Sequence, residues 1–320
     1  MYSLLKSLSE FDPTLDYVLA IVVRTDGSTY RKAGAMMMIN QNLKYWGLLS
    51  GGCLEGDIVA HSEKLFATQR DSNLVYNMRD ESDLLWGMGL GCDGEVSILL
   101  KYLPAQQNHF GVYDGLFKLE TGVSQQLQID LSQNNQIVMK DLSEDSPVEN
   151  DTLIFNLLKP HHILICGGSP DVPPVTAIAH QIGWKTTVID HRKDAVLPQR
   201  FPFAESVEHV KRSDWDNFDL TRYDSVIIMS HQFEHDLRYL ERLLASPLKY
   251  IGLLGPTKRR DKLLAECKTQ FSEHEGRVFG PIGLDIGTGS PETIALAIIS
   301  EIQAVRNHKN VVFCYQDPTR

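Results

Sequence analysis

The second half of the chain repeats one pattern. "HHILICGG", "WKTTVIDHR", "YDSVIIMSH" and "LKYIGLLG" are short apolar or β-branched runs that end in glycine, acid, serine or histidine, and helical stretches such as "PPVTAIAHQIG" alternate with them. Strands alternating with helices admit few folds, because parallel strands need crossovers of one hand, and the expected outcome is a Rossmann-like doubly wound parallel sheet. Ligands of such sheets bind beyond the C-terminal strand ends, so one crevice should be rimmed by Gly167, Gly168 and Asp171, by Asp190, His191 and Arg192, by Ser230 and His231, and by Lys258 and Arg259. The final helix, "SPETIALAIISEIQAV", has Ser290 at its N-cap, Pro291 in first position and a buried stripe of Ile294, Ile298, Ile302 and Val305.

The first half reads differently. "DYVLAIVVRT", "AMMMIN", "LKYWGLL" and "EVSILLKYL" are strands, a helix is predicted from about Cys53 to Arg70 with Leu54, Ile58 and Leu65 inward and Glu55 off that face, and "QQLQIDLSQNNQIVMKD" is a hairpin. A chain of 320 residues is too long for one ordinary core. The fold class is therefore α/β: a small N-terminal β-rich α+β domain over residues 1–157, then the Rossmann-like domain over 158–320.

A net charge of -10 argues against a nucleic-acid binder. No apolar run reaches the roughly 18 residues of a membrane span, and the N-terminus lacks a signal-peptide layout, so a cytoplasmic protein is expected. The five cysteines are scattered without a C-x-x-C pair, against a disulfide framework, a structural zinc site or an iron–sulfur cluster. Any chemistry they do is that of single thiols.

Two cysteines stand among glycines. Cys53 follows Ser50-Gly51-Gly52 at a helix mouth, where amides converge on an anion and the helix dipole favours a thiolate; the same pattern fits a small cysteine packed at a tight turn. Cys92 sits in "GMGLGCDG", beside Gly91 and Asp93, where glycines either let a ligand approach or turn the chain into the next strand. Arg24 and Arg31 would supply cations for a phosphate, or stay solvated. Asp190 lies where ribose recognition needs an acid, but "GGSPDVPP" is not G-x-G-x-x-G. "HQFEH" matches H-x-x-E-H, yet His231 falls in a loop after a strand and His235 at a helix start, so a polar cleft role for His231, Glu234 and His235 fits better than a zinc peptidase.

Together "RTDGSTYRKAGAMMMI", "GLLSGGCLEGDIVAHSEKL", "WGMGLGCDGEVSILL", "VIDHR", "SHQFEHDLRYL", "YIGLLGPTKRRDKLL" and "GPIGLDIGTGSPETIALAIISEI" resemble the XdhC/CoxI family, in order from about Arg24 to Glu301. The resemblance implies a chaperone that transiently binds molybdenum cofactor (molybdopterin), protects it during sulfuration and delivers it to a xanthine dehydrogenase-type molybdenum hydroxylase. A cysteine desulfurase is an implied partner, and metabolite turnover is not implied. The family's "SGGC" and "GLGC" match Ser50 to Cys53 and Gly89 to Cys92, which makes Cys53 and Cys92 contacts to molybdenum through the cofactor. The chain departs from the family at Ser169, where glycine is common. A homodimer is expected on general grounds. The competing reading is an NAD(P)-dependent oxidoreductase with His231 as acid/base.

Overall fold

The structure is a computed structural model that describes residues 4–5, 7–78, 94–131, 135–144, 151–267, 276–287 and 289–311. The chain divides into two units, Met1–Pro160 and His161–Arg320.

Unit 1 is built on β1 (Tyr17–Gly27) and β5 (Gly94–Leu103), antiparallel partners at the centre of a five-stranded sheet. Strands β2 (Met36–Asn40), β3 (Tyr45–Gly47) and β4 (Ser72–Asn77) complete it in the order β3-β2-β1-β5-β4. The continuous apolar run in β1 is explained by burial on both faces. Val18, Ala20 and Val22 join Ile98 and Leu100 beneath helix α1 (Glu55–Thr68), whose Leu54 cap, Ile58 and Leu65 fill that core. Tyr17, Leu19 and Ile21 face a second core shared with Leu116 and Leu119 of helix α2 (Val112–Glu120) and with Leu127, Ile129 and Ile137 of a three-stranded sheet. That sheet pairs β6 (Gln125–Asp130) with β7 (Gln136–Asp141) and with β8 (Thr152–Leu157). Strand β4, helix α2 and strand β8 have no counterpart in the sequence reading. Their alternation is diluted by polar residues, as in "SNLVYN", and their burial comes from what they pack on.

Unit 2 is a parallel sheet of β9 (His162–Cys166), β10 (Lys185–Asp190), β11 (Ser206–His209), β12 (Ser225–Ile228), β13 (Ile251–Leu253) and β14 (Val278–Phe279). The order β11-β10-β9-β12-β13-β14 is the doubly wound order of dinucleotide-binding folds. Helices α3 (Val172–Gln181) and α6 (Pro291–Arg306) cover one face through Val175, Ala179, Ile298 and Ile302. Helices α4 (Phe233–Leu244) and α5 (Thr257–Glu266) cover the other through Leu240, Leu243 and Leu263. Only short 3₁₀ turns, at Lys193–Ala195, Pro198–Arg200 and Trp215–Asn217, lie between β10 and β12 apart from β11. Pro198 and Pro202 rule out a regular helix where the alternation expected one. The sheet order reverses between β9 and β12, which opens a crevice at their C-terminal ends.

Ser290 caps α6 as expected, in a reciprocal box: its side chain accepts from the Thr293 amide, and Thr293 Oγ1 accepts from the Ser290 amide at 3.0 Å. Ser290→Ala is expected to lower stability by about 1 kcal/mol, read from the midpoint of denaturant unfolding.

Candidate functional site

The loop before α1 is closed by a carboxylate. Glu55, the first residue of α1, is buried, and one of its oxygens accepts the amides of Leu49 and Ser50 at 2.9 and 2.7 Å while the other accepts the Ser50 hydroxyl. Ser50 Oγ in turn accepts the amides of Gly52 and Leu54, both at 3.1 Å. An anion does draw in the amides at this helix mouth, and it is the protein's own. Periodicity puts Glu55 off the buried face, and the resemblance at "SGGCLEGD" counts it among the cofactor contacts; its carboxylate is instead spent on holding the loop. Burial pushes its pKa up, but the hydrogen bonds from the Ser50 side chain and from the loop amides outweigh burial and hold it below the ordinary glutamate value.

The loop leaves a different surface open. Gly51 and Gly52 are exposed, and Gly52 has φ +108° with open space where a Cβ would stand, so its backbone requires glycine. Gly51 has no such requirement: an added Cβ would meet only the ring of Tyr30, at 3.8 Å. Cys53 is half-buried, with its inner side on the core of Leu54 and Ile58. Tyr30 is 62% exposed, and the Arg31 guanidinium lies 5.5 Å from its ring centroid. The structure thus brings Arg31 and Tyr30 to the glycine loop, and Tyr30 was not legible as a site residue in the sequence. Arg24 is exposed on β1. Gly91, Cys92 and Asp93 lie outside the described residues.

In unit 2 the strand ends meet around Asp190, which is fully buried. Its carboxylate accepts the Gly168 amide (2.9 Å), the Arg192 amide (2.8 Å) and the Arg192 guanidinium through Nε (3.0 Å) and Nη2 (2.7 Å). Burial raises its pKa, and these donors, Arg192 foremost, outweigh burial and hold it low. A carboxylate so saturated has no lone pair free for a ribose diol, which corrects the ribose role drawn for Asp190. The glycines before it are also internal devices. At Gly167 (φ +128°) an added Cβ would stand 2.6 Å from the Met229 and Ser230 backbone, and at Gly168 it would overlap the Ala195 carbonyl. Helix α3 then opens Val172-Pro173-Pro174, and the Val172 amide already donates to the Ser169 carbonyl at 3.2 Å. Pro170, Pro173 and Pro174 lack an amide hydrogen and the Gly168 and Val172 amides are used, so an ordinary NAD(P) pose loses most of its pyrophosphate donors here.

A cleft of about 550 Å³ remains at these strand ends, with Gly168, Ser169, Arg192, Arg200, Ser230 and His231 on its wall. His231 stands at φ +60° between β12 and α4, its Nε2 3.0 Å from Asp171 Oδ2. His191 and His235 stack with ring centroids 3.7 Å apart, and Arg212 Nη2 lies 2.6 Å from His235 Nε2. Burial, with Arg212 adding to it, lowers the pKa of both imidazoles below the ordinary value. Glu234 and Lys258 are exposed and off the cleft wall, and Arg259 pairs with buried Asp236 at 2.7 Å. The expected rim is therefore only partly one site: Gly168, Arg192 and His231 line the cleft, Asp190 lies beneath it, and Lys258, Arg259 and Glu234 face elsewhere. Unit 1 has a larger cleft, about 700 Å³, on whose wall Lys101 pairs with Asp71 at 2.8 Å and the Tyr102 hydroxyl donates to Asp16 at 2.6 Å.

Gly168→Ala is expected to cost about 1–3 kcal/mol by overpacking, whereas Gly51→Ala stays within about 1 kcal/mol of the native chain; chemical denaturation reads both. The depressed imidazoles bind protons more weakly in the folded state, so stability declines as pH falls below about 6.5, and the depressed carboxylates Glu55 and Asp190 add a second decline below about pH 4. Unfolding midpoints across pH check this, with His235→Asn flattening the first limb and Asp190→Asn the second.

Residues 163–302 match the family described as the XdhC Rossmann domain, and residues 14–77 match the XdhC and CoxI family. A solved structure described as a xanthine dehydrogenase from Bacillus halodurans is 30% identical, superposes with a TM-score of 0.81 and is covered over 98% of its length by 99% of this chain. A Bacillus subtilis (strain 168) protein described as a probable xanthine dehydrogenase subunit is 28% identical over 92% of this chain and 94% of its own length. The molybdenum cofactor insertion chaperone PaoD of Escherichia coli (strain K12) is 22% identical over 93% of this chain and 86% of its own. With both units matched in order, and a solved relative superposing over nearly the whole length, the chain belongs to the XdhC/CoxI family.

Proposed function

We propose that this protein is an accessory chaperone that transiently binds molybdenum cofactor and supports its sulfuration and insertion into a xanthine dehydrogenase-type molybdenum hydroxylase. The observation that carries the reading is the Gly51–Cys53 loop. A half-buried thiol sits beside an exposed glycine that packing does not demand, next to an exposed aromatic ring and a guanidinium. A soft, thiophilic metal favours a thiol, and Tyr30 offers a flat ring to a flat heterocycle. Relatives named for xanthine dehydrogenase and for molybdenum cofactor insertion support the same cargo.

In this reading Cys53 and Cys92 hold the metal end of the cofactor, and Gly51, Gly52 and Gly91 let its pterin approach the backbone. Glu55 acts by fixing the loop. A cysteine desulfurase supplies the sulfur, the protein works in the cytoplasm as a homodimer, and it turns over no metabolite of its own.

The test is equilibrium binding of released molybdenum cofactor to the purified protein. Saturable binding is expected, weakened at least tenfold, about 1.4 kcal/mol, by Cys53→Ser and by Cys92→Ser. Binding indifferent to both substitutions would return the thiols to a packing role.

A further inference from the structure

We propose that the cleft at the C-terminal strand ends of unit 2 is a phosphate site built from side chains, which takes a phosphorylated small molecule without reading a ribose diol. Ser169 lines the cleft, is 6% exposed, and its hydroxyl has no hydrogen-bond partner among the described residues. Leaving a buried hydroxyl unpaired costs about 1–3 kcal/mol. An acceptor supplied by a ligand removes that cost.

Two guanidinium groups share the wall with it, and each is anchored from behind. Arg192 is locked by the Asp190 carboxylate, and Arg200 donates through Nη1 to the Ala195 carbonyl at 3.1 Å. Anchoring lowers the entropy lost when such a side chain binds, and the planar fork suits phosphate oxygens bidentately. Asp194 is the one carboxylate among the described residues of the wall, and Asp190 beneath it offsets Arg192, so the attraction for an anion rests on Arg200, which is held by a carbonyl, and on the hydrogen bonds that the two guanidiniums and Ser169 can donate. His231 stands on the same wall with Asp171 beside it.

The identity of the ligand class follows from what is spent. Asp190 offers no acceptor to a diol, and the first turn of α3 holds two residues that lack an amide hydrogen, Pro173 and Pro174. The recognised group is therefore an anion gripped by Arg192, Arg200 and Ser169. A phosphate of this kind comes either from a nucleotide or from the pterin of the cargo.

Inorganic pyrophosphate, titrated calorimetrically into the intact chain, is the probe. Saturable binding is expected, weakened at least tenfold by Arg200→Met and about fivefold by Ser169→Ala, with Cys53→Ser indifferent. No saturable binding at about millimolar concentration, or binding that either substitution leaves unchanged, overturns the site. If Arg200→Met does not fold, Arg200→Lys, which keeps the charge but not the fork, is expected to weaken binding at least threefold, and no change there overturns the site equally. Competition separates the sources. A nucleotide source predicts displacement by NADP⁺ at least tenfold better than by NAD⁺, and a cargo source predicts displacement by released molybdenum cofactor and by neither dinucleotide. Displacement by none of them overturns the ligand class.

Discussion

A buried carboxylate with every oxygen engaged shapes the glycine loop of each unit. An ionised acid taken out of water must be repaid by donors; Glu55 finds most of its donors in the backbone of the turn it stabilises, and Asp190 finds its donors equally in backbone amides and in the Arg192 guanidinium. The loops around Ser50 and Gly168 are therefore not flexible glycine turns waiting for an anion. They are turns folded around an internal one. What remains for a ligand is whatever the internal acid leaves over: an open glycine face, a thiol and a tyrosine ring in unit 1, and two guanidiniums with an orphaned hydroxyl in unit 2.

This division separates two uses of glycine that look alike in sequence. Gly167 and Gly168 are small because the ends of β9 and β12 and the turn at Ala195 leave no room for a Cβ. Gly52 is glycine because its backbone takes φ +108°, and Gly51 is glycine with neither constraint. Only the last kind is left without a structural cause, and it stands two residues before Cys53, under the Tyr30 ring. The chemical interest of "SGGC" therefore concentrates on one glycine and one thiol, not on a nest of amides.

Much of the architecture was legible. The apolar runs located β9, β10, β12 and β13 of the parallel sheet but not the short edge strands β11 and β14, and their punctuation located the crevice, because a doubly wound sheet puts strand ends and ligands on one edge. The Ser290 cap was legible as well, since its partner lies three residues away. What was not legible shares one property: it depends on residues distant in sequence. Strand β4 is half polar and exists because β5 pairs with it. Glu55 reads as a solvated first-turn acid until the fold buries it. Asp190 lies at the ribose position by spacing, yet its fate is decided by Arg192 and by the Gly168 amide. Tyr30, Ser169 and Arg200 carry no motif, and only proximity gives them a part.

Unit 2 keeps the strand order of dinucleotide-binding folds while losing a free acid after the second strand and most of the free amides at the first helix, the features by which those folds hold a dinucleotide. Fold and function are separable here in a physical sense. The order of strands fixes where the crevice opens, since that depends on the sheet alone. The chemistry of the crevice depends on a handful of side chains at its edge, and in this chain one ion pair, Asp190 with Arg192, turns an acceptor for sugar hydroxyls into the anchor of a cation. On the proposal made above, the same crevice gives up a diol and takes an anion on Arg200, Arg192 and Ser169, without moving a strand.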